Sequence, residues 1–206
     1  GLGITKIKNY ASLFGFGEKL GIDLTGEKEG LVPDPEWKKT ADPADPLWRV
    51  GDTYNVSIGQ GGLKVTPLQV TAMISAIANG GTLYQPRIAL AIRDKYGEKV
   101  QEFSPRVIRE KIVSAESLSE VVKGMRRTVT SGTARLLLGV PASVAAKTGT
   151  AQVGGSRQPH AWVVAFAPVE NPEIVVTVMV EHAGEGSTVA APIMRDILKW
   201  YFAGPR

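Results

Sequence analysis

Val144-Ala145-Ala146-Lys147-Thr148-Gly149-Thr150-Ala151-Gln152 is the stretch on which the reading of this chain turns. Its apolar, β-branched start predicts a strand. Side chains alternate across a strand, so Thr148 and Thr150 fall on one face and Lys147 and Gly149 on the other. Two hydroxyls two residues apart can both donate to one carboxylate, and the adjacent lysine makes the edge electropositive. Gly149 removes a side chain and lets another backbone come close. The pattern describes a sheet edge that takes an extended peptide by strand addition and holds its terminal carboxylate. A strand ending in a small-residue turn would use the same residues, and Lys-Thr-Gly alone also recurs by chance.

Residues 144–152, 161–167 and 174–181 are apolar or β-branched and separated by turn-rich links, which predicts three successive antiparallel strands. A helix after Thr188, with Pro192 in its first turn, places Val189, Ile193, Ile197, Leu198 and Tyr201 inward. Upstream, Thr66-Pro67-Leu68-Gln69 reads as a capping box with proline at the first helical position. Val70, Met73, Ile74 and Ile77 form that helix's apolar face, and Asn79-Gly80-Gly81 stops it. Ser114 caps another helix with Leu118, Val121, Val122, Met125 and Val129 inward, and a short helix follows Ser131-Gly132-Thr133-Ala134. Lys95-Tyr96-Gly97-Glu98 turns a surface hairpin, and an entry helix carries Ile4, Ile7, Tyr10, Ala11 and Phe14. Residues 18–56, with four prolines, read as mostly irregular and anchored by Trp37 and Trp48. The class is α+β: antiparallel strands flanked by helices.

Composition bounds the alternatives. In 206 residues, 43% are hydrophobic and 21% charged, which excludes wholesale disorder. With no cysteine there is no disulfide framework, thiolate nucleophile or Cys-ligated zinc. The net charge of +4 is spread among nearly as many acids, which argues against a nucleic-acid surface. Glu181 and His182 are adjacent and would point to opposite faces of a strand, so no metal site is expected. His160 is read as a structural histidine or a residue of the site's rim. Gln60 is read as part of a tight turn beneath the cleft, and Gly154-Gly155-Ser156 as a link at its mouth. The start, Gly1-Leu2-Gly3-Ile4 without Met, reads as a cut from something longer.

Lys-Thr-Gly is the third element of the serine acyl-enzyme families that include penicillin-binding proteins; the other elements are Ser-x-x-Lys and Ser-Asp-Asn. Neither Ser-x-x-Lys nor Ser-x-Asn occurs in this sequence. The markers around the motif nevertheless run in order through nearly the whole chain. They are Phe14-Gly15-Phe16-Gly17 with Gly21-Ile22-Asp23-Leu24, Glu36-Trp37-Lys38, Gly51-Asp52-Thr53, Ile58-Gly59-Gln60-Gly61 and Thr66-Pro67-Leu68-Gln69. Gly132-Thr133-Ala134, Lys147–Gln152 as spelled out above, and His160-Ala161-Trp162 complete the series. Together they make the chain resemble the C-terminal half of the transpeptidase domain of class B penicillin-binding proteins, of the cell-elongation type.

That resemblance implies that residues 1–206 are the C-terminal portion of a single penicillin-binding/β-lactamase-like transpeptidase domain, with the two serine motifs upstream. It implies a D,D-transpeptidase that crosslinks peptidoglycan stem peptides through a serine acyl-enzyme and is acylated by β-lactams. A β-lactam-sensing receptor of the same fold is the alternative; Glu36-Trp37-Lys38 and Gly59-Gln60-Gly61 argue against it. Lys147 and Thr150 then carry the catalytic roles. Thr148, Gly149, Thr150, Ala151 and Gln152 line the substrate, and the Thr150 N–H supplies half of an oxyanion hole. No cofactor or metal is implied. The implied partners are stem peptides ending in D-Ala-D-Ala, β-lactams and membrane proteins of the elongation machinery, with no nucleic acid. The implied location is the periplasmic side of the inner membrane, and the chain alone is expected to be inactive.

Overall fold

A computed structural model describes residues 1–204. The order is α1 (Gly3–Leu13), α2 (Pro35–Ala41), α3 (Val50–Ser57), α4 (Pro67–Ala78), β1 (Leu83–Tyr84), β2 (Ala91–Arg93), β3 (Lys99–Glu102), β4 (Val107–Arg109), α5 (Ala115–Thr130), β5 (Ala145–Ala151), β6 (His160–Ala167), β7 (Ile174–Val180) and α6 (Ala191–Ala203). A 3-10 turn, Arg135–Gly139, follows α5, and a π turn, Gly186–Ala190, precedes α6. Among the described residues no helix is long and apolar enough to cross a membrane.

The antiparallel sheet β5-β6-β7 lies between two helical layers. On one face Ala146, Ala161, Val163 and Ala165 meet Met194 and Leu198 of α6. On the other, Ala145, Val164 and Phe166 meet Ile74 and Ile77 of α4 and Leu118 and Met125 of α5. Alanines on the first face let α6 close against the sheet. Leu198 is buried and Val189 packs against the core as expected, but Ile193 and Ile197 correct the predicted inward face of α6. Ala191, Met194 and Leu198 are buried, whereas Ile193 and Ile197 are 43% and 36% exposed. The alanine surface accepts the flatter side of the helix, which periodicity of bulky residues does not reveal. On α5, Val121 likewise lies outward, with Leu118, Met125 and Val129 buried.

The α4 cap forms as its sequence predicts: Gln69 N–H donates to Thr66 Oγ1 at 3.1 Å and Gln69 Oε1 accepts from Thr66 N–H at 2.9 Å. The same amide does more. Its Nε2 lies 3.2, 3.0 and 2.8 Å from the carbonyls of Gly15, Glu18 and Glu29, and the side chain is fully buried. It thereby ties the segment after α1 to the start of α4. Gly30 sits so close to this hub that a Cβ would collide with the Lys64 carbonyl.

The segment read as mostly irregular contains α2 and α3. Asp34 caps α2, accepting from Trp37 N–H at 2.8 Å, with Pro35 in its first turn, and Lys8 of α1 pairs with Asp34. Asp52 in the first turn of α3 accepts from Arg49 N–H at 2.7 Å and from the buried Lys38 Nζ at 2.7 Å. Both helices are short, with their signals hidden among prolines. Trp37 packs flat on Gly62, where a Cβ would collide with its ring, and Trp48 Nε1 donates to Thr53 Oγ1 at 2.8 Å.

Candidate active site

Among the described residues β5 pairs only with β6, so its other edge is open. Two carbonyls turn toward that edge. Thr148 O accepts from Lys147 Nζ at 2.6 Å, and Thr150 O accepts from Gln60 Nε2 at 3.1 Å. In an antiparallel ladder the N–H and C=O of one residue point the same way, so the Thr148 and Thr150 N–H groups also face the opening. The edge is consequently rich in free donors, because its outward acceptors already have partners. Lys147 adds a positive charge to it.

The side chains alternate as the strand requires. Lys147, Gly149 and Ala151 share the face of Trp162 and Val164; their register partners are Val164, Trp162 and His160. This face and α3–α4 enclose a mostly apolar cleft of about 320 Å³, bounded by Phe16, Ile58, Val70, Met73 and Trp162. Thr148 and Thr150 lie on the opposite face. Thr148 Oγ1 is 2.6 Å from Thr133 Oγ1, and Thr150 Oγ1 accepts from Gly186 N–H at 3.4 Å, a long bond. Gly186 lies against the strand so closely that a Cβ would collide with the carbonyl oxygens of Gly149 and Trp162. The π turn before α6 thus fixes the backbone of β5 at Gly149. Opposite it, a Cβ on Gly149 would stand 3.3 Å from Trp162 Cβ.

Ala151 closes the strand, and Gln152 lies just beyond it in a second cleft of about 560 Å³ with Lys64, Arg157, His160, Glu181 and His182. Here His160 is engaged structurally: its Nδ1 accepts from His182 N–H at 3.0 Å, and the two rings lie 4.6 Å apart. Gln158 O lies 3.2 Å from His182 Nδ1. His182 holds its left-handed backbone, φ 51°, as the chain leaves β7.

The structure therefore brings Lys147, Thr148, Gly149, Thr150, Ala151 and Gln152 to one edge and its end. It adds Gln60, read from the sequence as part of a tight turn beneath the cleft, and Thr133, read as part of the break after a helix. Gln60 is held between Gly59 and Gly61, both left-handed at φ 79° and 73°, and its backbone N–H donates to Asn55 O at 2.9 Å. The paired glycines are the local signal that this side chain is aimed. Its target, 90 residues away, has no local signal.

The chain belongs to the penicillin-binding-protein transpeptidase family: the penicillin binding protein transpeptidase domain matches residues 1–199. Among its relatives, the peptidoglycan D,D-transpeptidase MrdA of Haemophilus influenzae is 33% identical, over 97% of this chain and 33% of the relative. Penicillin-binding protein 2 of Pseudomonas aeruginosa, solved in complex with WCK 5153, superposes with a TM-score of 0.81 at 34% identity, covering 100% of this chain and 45% of that one. Penicillin-binding protein 2 of Helicobacter pylori, solved in complex with MreC, gives 0.80 at 34% identity, covering 98% and 36%. The chain spans about a third of the length of the curated relatives it matches.

Proposed function

We propose that the protein carrying this chain is a peptidoglycan D,D-transpeptidase and that residues 1–206 supply the carboxylate-binding, oxyanion-stabilising part of one transpeptidase domain, with Ser-x-x-Lys and Ser-x-Asn outside them. The observation that carries this reading is the donor-rich edge of β5. A ligand that suits it brings acceptors and negative charge, as the carbonyl and terminal carboxylate of a D-Ala-D-Ala stem peptide do. Thr148 and Thr150 hydroxyls hold the carboxylate, and Lys147 supplies positive potential within the polar network around the Ser-x-Asn serine. The Thr150 N–H binds the carbonyl oxygen as it gains charge, paired with the N–H of the serine. Gly149, Ala151 and Gln152 leave room for the extended peptide along the strand.

In this scheme the serine oxygen attacks the penultimate D-Ala carbonyl, the amide C–N bond breaks, and the terminal D-Ala leaves with a proton on its amine. An amine of a neighbouring stem peptide then attacks the ester, the ester C–O bond breaks as the crosslink forms, and a proton from that amine passes to the serine oxygen. β-Lactams present the same carbonyl and carboxylate, and their ring opens onto the serine. The MreC complex of the Helicobacter pylori relative supports membrane proteins of the elongation machinery as partners. The matching site is the periplasmic side of the inner membrane.

The test is labelling of the full-length protein with a fluorescent penicillin. The full-length protein should label and the 206-residue chain alone should not. Thr150→Val should slow acylation by about tenfold or more, through a lost charge-assisted hydrogen bond. A full-length protein that takes up no label, or a Thr150→Val variant that labels at the parental rate, overturns the reading.

A further inference from the structure

We infer that Thr133 is a positioning residue for the carboxylate site, acting through the hydroxyl of Thr148; this rests on the function proposed above. Thr133 Oγ1 stands 2.6 Å from Thr148 Oγ1, across the gap between the end of α5 and the open strand. Two hydroxyls this close share one proton between them, and the second proton is left for another partner. A carboxylate only accepts hydrogen bonds. When one lies at Thr148, the order that satisfies every group is Thr133 donating to Thr148 and Thr148 donating to the carboxylate. Each bond in such a chain polarises the next. Without Thr133 the Thr148 rotor is free to turn its proton elsewhere.

Thr133 is built to hold that place. Ser131 N–H donates to Arg127 O at 2.9 Å and Ala134 N–H to Thr128 O at 3.0 Å, so the chain folds tightly back on the last turn of α5. Gly132 makes the turn possible: a Cβ there would stand 2.8 Å from Thr128 Cα. Ala134, the next residue, is fully buried in the core beneath α6. Arg126 Nη1 donates to Val144 O at 2.9 Å and ties α5 to the root of β5. The hydroxyl therefore sits on a mount referenced to the strand it serves, although Thr133 itself is exposed.

The experiment is a double-mutant cycle in the full-length protein, reading the second-order rate of acylation by a β-lactam and the melting temperature. Thr133→Val should acylate about fivefold more slowly with an unchanged melting temperature, and Thr133→Ser should restore the rate. In a Thr148→Val background, adding Thr133→Val should change nothing further. The inference is overturned if Thr133→Val retains the parental rate while Thr148→Val is slow. It is equally overturned if the two losses multiply, or if Thr133→Ser is as slow as Thr133→Val. If Thr148→Val and Thr150→Val both acylate at the parental rate, it is the carboxylate reading of the strand that fails.

Discussion

Strand β6 buries Ala161, Val163, Ala165, Phe166 and Ala167 completely, with no polar side chain among them. The segment between α1 and α4 is organised the other way. Its ties are the Gln69 amide, the buried Lys38 with Asp52, the Asp34 cap with Lys8, and Glu27 accepting from Leu20 and Gly21 N–H at 2.7 and 2.9 Å. The sheet spreads its stability over many small apolar contacts, each replaceable by a neighbour of similar volume. The segment concentrates its stability in a few polar groups whose loss leaves backbone partners unsatisfied. The first arrangement survives conservative substitution. The second fails at single positions, and it carries the turn that aims Gln60 at β5.

Gln69→Leu should give the largest effect, about 3–5 kcal/mol, because the carbonyls of Gly15, Glu18 and Glu29 and the Thr66 N–H lose their partner together. Limited proteolysis should then cut within residues 18–56 while the sheet stays intact. A loss below about 1 kcal/mol, or uniform unfolding, would erase the contrast. Leu198→Ala comes next. This side chain is fully buried between α6 and the sheet, and its truncation should cost about 3 kcal/mol, whereas Leu198→Met should cost less than about 1.5 kcal/mol. Equal penalties for the two would show that the sheet core is as intolerant as the segment.

The smallest effect is one of pH. The Arg49 N–H and then Lys38 hold the Asp52 carboxyl below its ordinary value of 3.8, and Lys8 and then the Trp37 N–H do the same for Asp34. A carboxylate depressed on folding stabilises fully above the unfolded value and ceases to do so as pH falls through the folded one. Stability should therefore be lost below about pH 4, by less than about 1 kcal/mol per group, with hydrogen exchange in α2 and α3 rising before that in the sheet. Asp52→Asn should flatten this dependence. Exchange rising first in β6 would reverse the assignment of the acid-sensitive region.

Wherever one local pattern determined one local outcome, the sequence was readable. Thr66-Pro67-Leu68-Gln69 specifies a helix start through contacts three residues apart, and the helix starts there. Alternation in residues 144–152 specifies a strand and its faces, and the three-stranded antiparallel order follows from short links. What escaped depends on partners distant in sequence. The second role of Gln69 needs carbonyls 40 to 54 residues away. The engagement of Thr133 with Thr148 crosses a chain reversal of 15 residues. The buried face of α6 depends on alanines in the sheet that it covers, so Ile193 and Ile197 lie outside it although Leu198 is inside. At the open edge of β5, the strand and its faces were legible and the residues that brace it were not.

The capping of β5's outward carbonyls bears on how this molecule behaves in a crowded compartment. An open strand with unpaired donors and acceptors is a template on which a neighbour's sheet can grow. Here Lys147 and Gln60 occupy the acceptors at Thr148 and Thr150, and a charged side chain stands at the rim. A second strand meeting this edge finds only half of the ladder it needs. The open edge of β5 is thus a poor template for a neighbour's strand, a hazard that other sheets avoid by covering the edge altogether.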